Sequence, residues 1–221
     1  MDLTAELFSP AWHACAAVAS VVVGVWLTRN TPWQRLATVQ ARNLLFGLAL
    51  VVALFWIMRA GVQPGLNLHM LGAMAATLAL GSHLAIVAMA LALTGVTFNG
   101  NMPWLAWPIN FIVMVVLPVM FADFVRRQIE QRLPNHFYIY IFCAAFMGAA
   151  LTVVFQGLVA AGALWLAGAY SLEMLTTEYL PYFALLGFAE AWLSGAFITL
   201  FVVYKPEWVH TFDDARYLAG K

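Results

Sequence analysis

Few side chains in this sequence are equipped for chemistry, and most of those lie inside long apolar runs. His69 is the sharpest case, placed just after the break Pro64-Gly65. A neutral imidazole is a common nitrogen ligand for late first-row metals. It is equally at home hydrogen-bonded to neighbouring backbone. Asn110 and Glu190 also sit in apolar surroundings, where burial of a polar group is expensive and marks a functional candidate. Asn110 is suited to bridging helices, a contact worth about 0.6–2 kcal/mol in a membrane. Glu190 requires a partner, a bound proton or water. His69 and His83 are fourteen residues apart, which on one unbroken helix places them on nearly the same face about 21 Å apart. With His13 beside the first and His136 beside the second, two bis-histidine haem sites are geometrically conceivable. Gly81-Ser82 breaks such a helix before His83.

The elements that must position these groups follow from composition. Of 221 residues, 64% are hydrophobic and 9% charged, against about 25% charged in soluble domains. Mean hydropathy is +0.87. A fold of this size leaves roughly a third of its unfolded surface in water, so a soluble globular enzyme is excluded. A formal charge of zero with ten scattered basic residues excludes a nucleic-acid binder. Cys15 and Cys143 lack a paired spacing and read as small packing residues. No phosphate-binding loop, dinucleotide fingerprint or metalloprotease helix is present. The chain therefore reads as a non-enzyme, and any energy from ATP has to come from another subunit.

A membrane-crossing helix needs about 20 apolar residues, with about 17–25 tolerated. Breakers divide the apolar runs into about seven transmembrane helices, over 11–28, 43–58, 66–80, 84–98, 104–124, 137–167 and 180–204. The whole chain reads as a single integral-membrane domain of the all-α, polytopic class, with 1–10 as an N-terminal segment and 205–221 as a tail. The third and fourth segments are short, and Asn67, His69, Ser82 and His83 favour placing them inside the bundle, shielded from lipid. Small residues at Gly72-Ala73, Ala75-Ala76, Gly148-Ala149-Ala150 and Gly195-Ala196 allow close helix contact. Trp104, Trp107, Tyr138, Tyr140, Tyr182 and Tyr204 read as interfacial anchors.

Basic residues set the orientation. Arg29, Arg35 and Arg42, then Arg126, Arg127 and Arg132, then Lys205, Arg216 and Lys221 fall on one side, which the positive-inside rule makes cytoplasmic. Arg59 alone lies opposite. The expected topology has the N-terminus outside and the C-terminus in the cytoplasm. The start, Met1-Asp2-Leu3-Thr4-Ala5-Glu6, has acid where a signal peptide has a basic region, so no cleavage is expected. A decapeptide reaches about 30 Å, enough to fold into an outer vestibule beside His69. There the α-amine and the carboxylate at position 2 would chelate a metal together.

Several stretches together resemble the CbiM/NikM family, the substrate-specific membrane subunit of cobalt and nickel energy-coupling-factor transporters. Met1-Asp2-Leu3 with Leu7-Phe8-Ser9-Pro10 is similar to the family's opening. Leu68-His69-Met70-Leu71-Gly72, running on to Leu80-Gly81, is similar to its His-Leu-x-Gly run. Pro108-Ile109-Asn110-Phe111 sits where the family has an Asn-rich helix. Glu190-Ala191-Trp192-Leu193-Ser194-Gly195-Ala196 and Tyr204-Lys205-Pro206-Glu207 resemble its last helix and exit. The resemblance implies uptake of a divalent cobalt or nickel ion across the inner membrane of a bacterial cell. It implies Met1, Asp2 and His69 as the metal's ligands; Asn110, Glu190 and His13, singled out by their own surroundings, are candidates to support that site or line an ion pathway. It further implies a transmembrane coupling subunit, cytoplasmic ATPase subunits and a small accessory membrane subunit as partners. Position 2 is Asp where the family has His, a change expected to weaken nickel or cobalt binding and favour harder ions. An energy-coupling-factor subunit for another solute and a b-type haem electron carrier are the alternatives.

Overall fold

The structure, a computed structural model, describes residues 2–61 and 63–218. The principal helices are α1 (Pro10–Asn30), α2 (Val39–Ile57), α3 (Ala73–Leu80), α4 (Ser82–Phe98), α5 (Trp104–Arg132), α6 (Phe137–Leu166), α7 (Leu172–Glu178) and α8 (Tyr182–Tyr204). Among the described residues no strand forms, and Ala60 and Leu68 make an isolated antiparallel bridge. Local chemistry sets the helix starts. Pro10 occupies the first turn of α1, where its missing N–H leaves no bond unmade. Thr38 and Ser171 accept hydrogen bonds from the first turns of α2 and α7.

Among the described residues α1, α2, α5, α6 and α8 are long and apolar enough to cross a membrane, and α4 is a shorter apolar helix. The all-helical, multi-pass class expected from the sequence is thus found. Residues such as Val18, Val21, Leu50, Leu54, Leu185 and Phe188 are exposed, as lipid-facing side chains must be. Leu27 is the one fully buried residue of α1, which packs on α5 at the rim of the bundle.

The third expected crossing differs most from the sequence reading. Only 73–80 is helical, and 66–72 is irregular chain leading into it. Gly72 adopts φ +74 at the start of α3 and Gly81 φ +79 at its end, conformations that favour glycine. Helix α3 touches α4, α5, α6 and α8, and every residue in it except Ala75 is buried. Irregular backbone at membrane depth is tolerated where protein, not lipid, surrounds it.

Helix α5 continues eight residues beyond its expected end at 124, to Arg132. Arg126 pairs with Asp123 and Glu130 at 2.7 Å, and Arg127 with Asp123 at 2.8 Å, so i,i+3 and i,i+4 ion pairs carry the helix into the polar zone. Two aromatic and cysteine readings also change. Tyr140 is buried, its hydroxyl 2.7 Å from that of Thr211, so it is core and not an interfacial anchor. Cys15 is exposed on α1, not packed. The small residues do mark close contacts, with Met74 against Gly148 and Phe146 against Gly195.

Candidate metal site

The two ends of the bundle differ in chemistry. Arg35, Arg126, Arg127 and Arg216 line one polar cavity of about 400 Å³, with His83 and His210. Burial lowers the pKa of His210, and the charges of Arg35 and Arg126 push it the same way. Helix α2 runs from this end to Ile57, so Arg59, just past it, marks the opposite end, where the N-terminal segment is held.

Asn110 does the holding. Its Oδ1 accepts from the Leu3 N–H at 2.7 Å, and its Nδ2 donates to the Leu3 carbonyl at 2.8 Å. Leu3 and Asn110 are both buried. Asn110 immediately precedes a π-helical stretch of α5, Phe111–Val116, which lies just before Pro118. A proline ring crowds the carbonyl four residues earlier, and a π-bulge relieves such crowding and is common at functional sites. His13 supports the same segment from α1, with Nε2 3.0 Å from the Ala5 carbonyl. Asp2 is therefore buried beside the bundle core and is paired with Arg59. Met1 lies outside the described residues.

His69 sits in the irregular chain before α3 and is buried. Its Nδ1 lies 3.0 Å from the Met70 carbonyl. A carbonyl only accepts, so Nδ1 carries the proton and Nε2 keeps its lone pair. That Nε2 is buried with no hydrogen-bond partner among the described residues. Asp2 and Arg59 lie within electrostatic reach of this ring. Trp56 of α2 flanks it, ring centroids 5.6 Å apart, and donates from Nε1 to the Leu71 carbonyl.

Glu190 of α8 stands behind the same segment. Its carboxylate accepts from the N–H groups of Leu71 at 2.8 Å and Gly72 at 2.6 Å, and from the Ser194 hydroxyl at 3.2 Å. A carboxylate at the N-terminus of a half-helix answers both the free N–H groups and the helix dipole. Tyr179, between α7 and α8, adds a buried hydroxyl without a partner among the described residues. Burial raises its pKa, and the charge of Asp2 adds to that.

The structure thus brings Asp2, His69 and Asn110 to one end and fixes His69 from behind through Glu190. His13 belongs to the support of the N-terminal turn. Sequence reasoning missed Trp56, Tyr179 and the pairing of Arg59; the last had a signal, since Arg59 was the one basic residue on the wrong side. Among the described residues no three His, Cys, Asp or Glu side chains converge, so a metal here needs donors beyond Asp2 and His69. A wider cavity of about 690 Å³ between α2 and α8 is apolar, lined by residues such as Leu48, Val51, Leu193 and Ile198, with no charged side chain. The haem reading loses its geometry. Gly81 separates α3 from α4, His83 stacks on Trp26 at 4.7 Å, and His136 caps α6 through Nδ1.

These features define a multi-pass membrane protein with buried polar side chains, Asp2, His69 and Asn110, gathered at one end. Residues 2–208 match the family described as the cobalt uptake substrate-specific transmembrane region, CbiM, and the chain belongs to that family. A crystal structure described as a truncated transition metal transporter superposes with a TM-score of 0.77 at 17% identity, covering 92% of this chain and 98% of that one. At that identity the likeness speaks for the fold. No curated protein matches the sequence. The protein is a substrate-specific membrane component for cobalt uptake, a transporter part.

Proposed function

We propose that the pocket formed by Asp2 and His69 captures a divalent transition metal ion, cobalt or nickel, as transported substrate. The observation that carries this is the Nε2 of His69, buried with its lone pair unengaged among the described residues and its tautomer fixed by the Met70 carbonyl. A buried acceptor with no partner is costly, and a metal ion is the partner that suits it. Asp2 supplies a carboxylate, and the amine of Met1, carried over from the family resemblance, completes a chelate with it. Asn110 positions this segment by clamping Leu3, and Glu190 positions His69 by holding Leu71 and Gly72.

The pocket faces the outside of the cell in this reading, with the arginine-rich end in the cytoplasm. A coupling membrane subunit, ATPase subunits and a small accessory membrane subunit drive release, as the family resemblance implies. The chain itself makes and breaks no covalent bond. Metal analysis of detergent-purified protein tests the site. The wild type retains cobalt or nickel after desalting and His69→Ala loses it while still eluting as a folded monodisperse protein. Equal metal in both removes His69 from the site. Extending the N-terminus by a short tag abolishes binding as well, because the amine is then displaced; unchanged binding takes the amine out of the ligand set.

A further inference from the structure

One charged group at the pocket has no part in the capture just described. Arg59 lies just past α2, and its guanidinium pairs with the Asp2 carboxylate. The Arg59 side chain is 29% exposed and that of Asp2 7%. The second guanidinium nitrogen, Nη2, donates to the Asn101 carbonyl at 2.9 Å. Arg59 therefore ties together the N-terminal segment, the end of α2 and the loop before α5.

A fixed positive charge beside a cation pocket opposes cation entry, and burial leaves that repulsion poorly screened. A buried carboxylate, in turn, is unstable without a partner. Both demands are met when one cation stands in for another. Before metal arrives, Arg59 is a charged partner of Asp2. When metal arrives, it competes with the guanidinium for the same carboxylate charge, and Arg59 is the one with somewhere to go. It is partly exposed already, it has the Asn101 carbonyl as a second acceptor, and a long side chain swings outward without moving the backbone.

We propose that Arg59 is the resident counter-ion of Asp2, displaced by the incoming divalent ion, and so a residue that sets affinity and selectivity for the cargo. An ion must out-compete a guanidinium for the carboxylate, which a doubly charged ion does far better than a monovalent one. This rests on Asp2 and His69 being donors to the metal.

The test is Arg59→Gln, which removes the charge and keeps a donor for Asn101. Co²⁺ is titrated into purified, metal-free protein, and melting temperatures are recorded with and without Co²⁺. The expected result is Co²⁺ binding tightened about tenfold, equivalent to about 1.4 kcal/mol. The metal-free variant melts below the metal-free wild type, whereas the two loaded proteins melt together, because the ion pair exists only without metal. Arg59→Lys, a weaker partner for a carboxylate, gives a smaller tightening in the same direction and serves if Arg59→Gln does not fold. Unchanged or weakened Co²⁺ affinity in Arg59→Gln, weakened affinity in Arg59→Lys, or an equal drop in melting temperature with and without metal, overturns the proposal. Adding His69→Ala to Arg59→Gln separates the two ideas. If the double variant still binds Co²⁺ tightly, the metal site itself has been misassigned, whatever Arg59 does.

Discussion

At the scale of single residues, Glu190 shows how a buried charge is made tolerable. Its carboxylate accepts from two backbone N–H groups and a hydroxyl, and those N–H groups belong to the break between His69 and α3. Charge-assisted bonds of this kind are worth about 1.5–3 kcal/mol. Glu190→Gln is therefore not conservative: the amide presents one acceptor and turns an N–H₂ group towards a backbone N–H. It should destabilise the protein by about 2–3 kcal/mol, read as a lowered denaturation midpoint in detergent, and weaken metal binding through a displaced His69. Glu190→Ala should cost more, since both N–H groups lose their acceptor. Stability unchanged in Glu190→Gln would show that the contacts are dispensable. The sequence marked Glu190 as needing a partner but could not say which, because two of its three partners are main-chain groups more than a hundred residues away.

At the scale of elements, the pocket is built by two pieces that are not spanning helices. One is the N-terminal segment, strapped down by Asn110. The other is the irregular run into α3. The sequence set 1–10 apart as an N-terminal segment but read 66–72 as the start of a spanning helix, and it separated α4 from α3 at Gly81-Ser82. It also placed the ends of α1, α2, α6 and α8 to within about four residues. What it could not show was that 66–72 gives up helical structure, since a window of apolar residues looks the same coiled or extended; the deciding contact is the Glu190 carboxylate. Nor could it show that α5 runs on to Arg132, since ion pairs and not apolar residues support that turn. The strap yields a sharp expectation. Asn110→Ala removes both bonds to Leu3 and leaves buried backbone groups unmet, at about 1–3 kcal/mol each. With His69 untouched, Co²⁺ affinity should still fall by at least about tenfold. The N-terminal residues should also exchange amide hydrogens faster, which hydrogen-exchange mass spectrometry reads directly. Full affinity in Asn110→Ala would mean that His13 and the turn at 5–7 hold the segment unaided.

At the scale of the whole molecule, polarity along the membrane normal decides what the pocket is for. Arg35, Arg126, Arg127 and Arg216 surround one cavity, and Arg216 also reaches Asn135 at 3.1 Å, so three separate connections converge on one end. The opposite end gathers Asp2, Arg59 and His69, and Tyr170 binds the Pro64 carbonyl there. Glu173 follows in the same connection. Basic residues close to span ends are retained in the cytoplasm, and the exception, Arg59, is neutralised by Asp2, so it pulls little against that bias. Labelling in intact cells checks this. In a background with Cys15 and Cys143 replaced by alanine, Glu173→Cys should react with a membrane-impermeant thiol reagent, and Asn135→Cys should react only after the cells are opened. A fluorescent protein fused after the tail should fluoresce, as it does when it folds in the cytoplasm. The reverse labelling pattern would place the Asp2–His69 pocket on the inner face, where an importer would have to release its ion and not capture it.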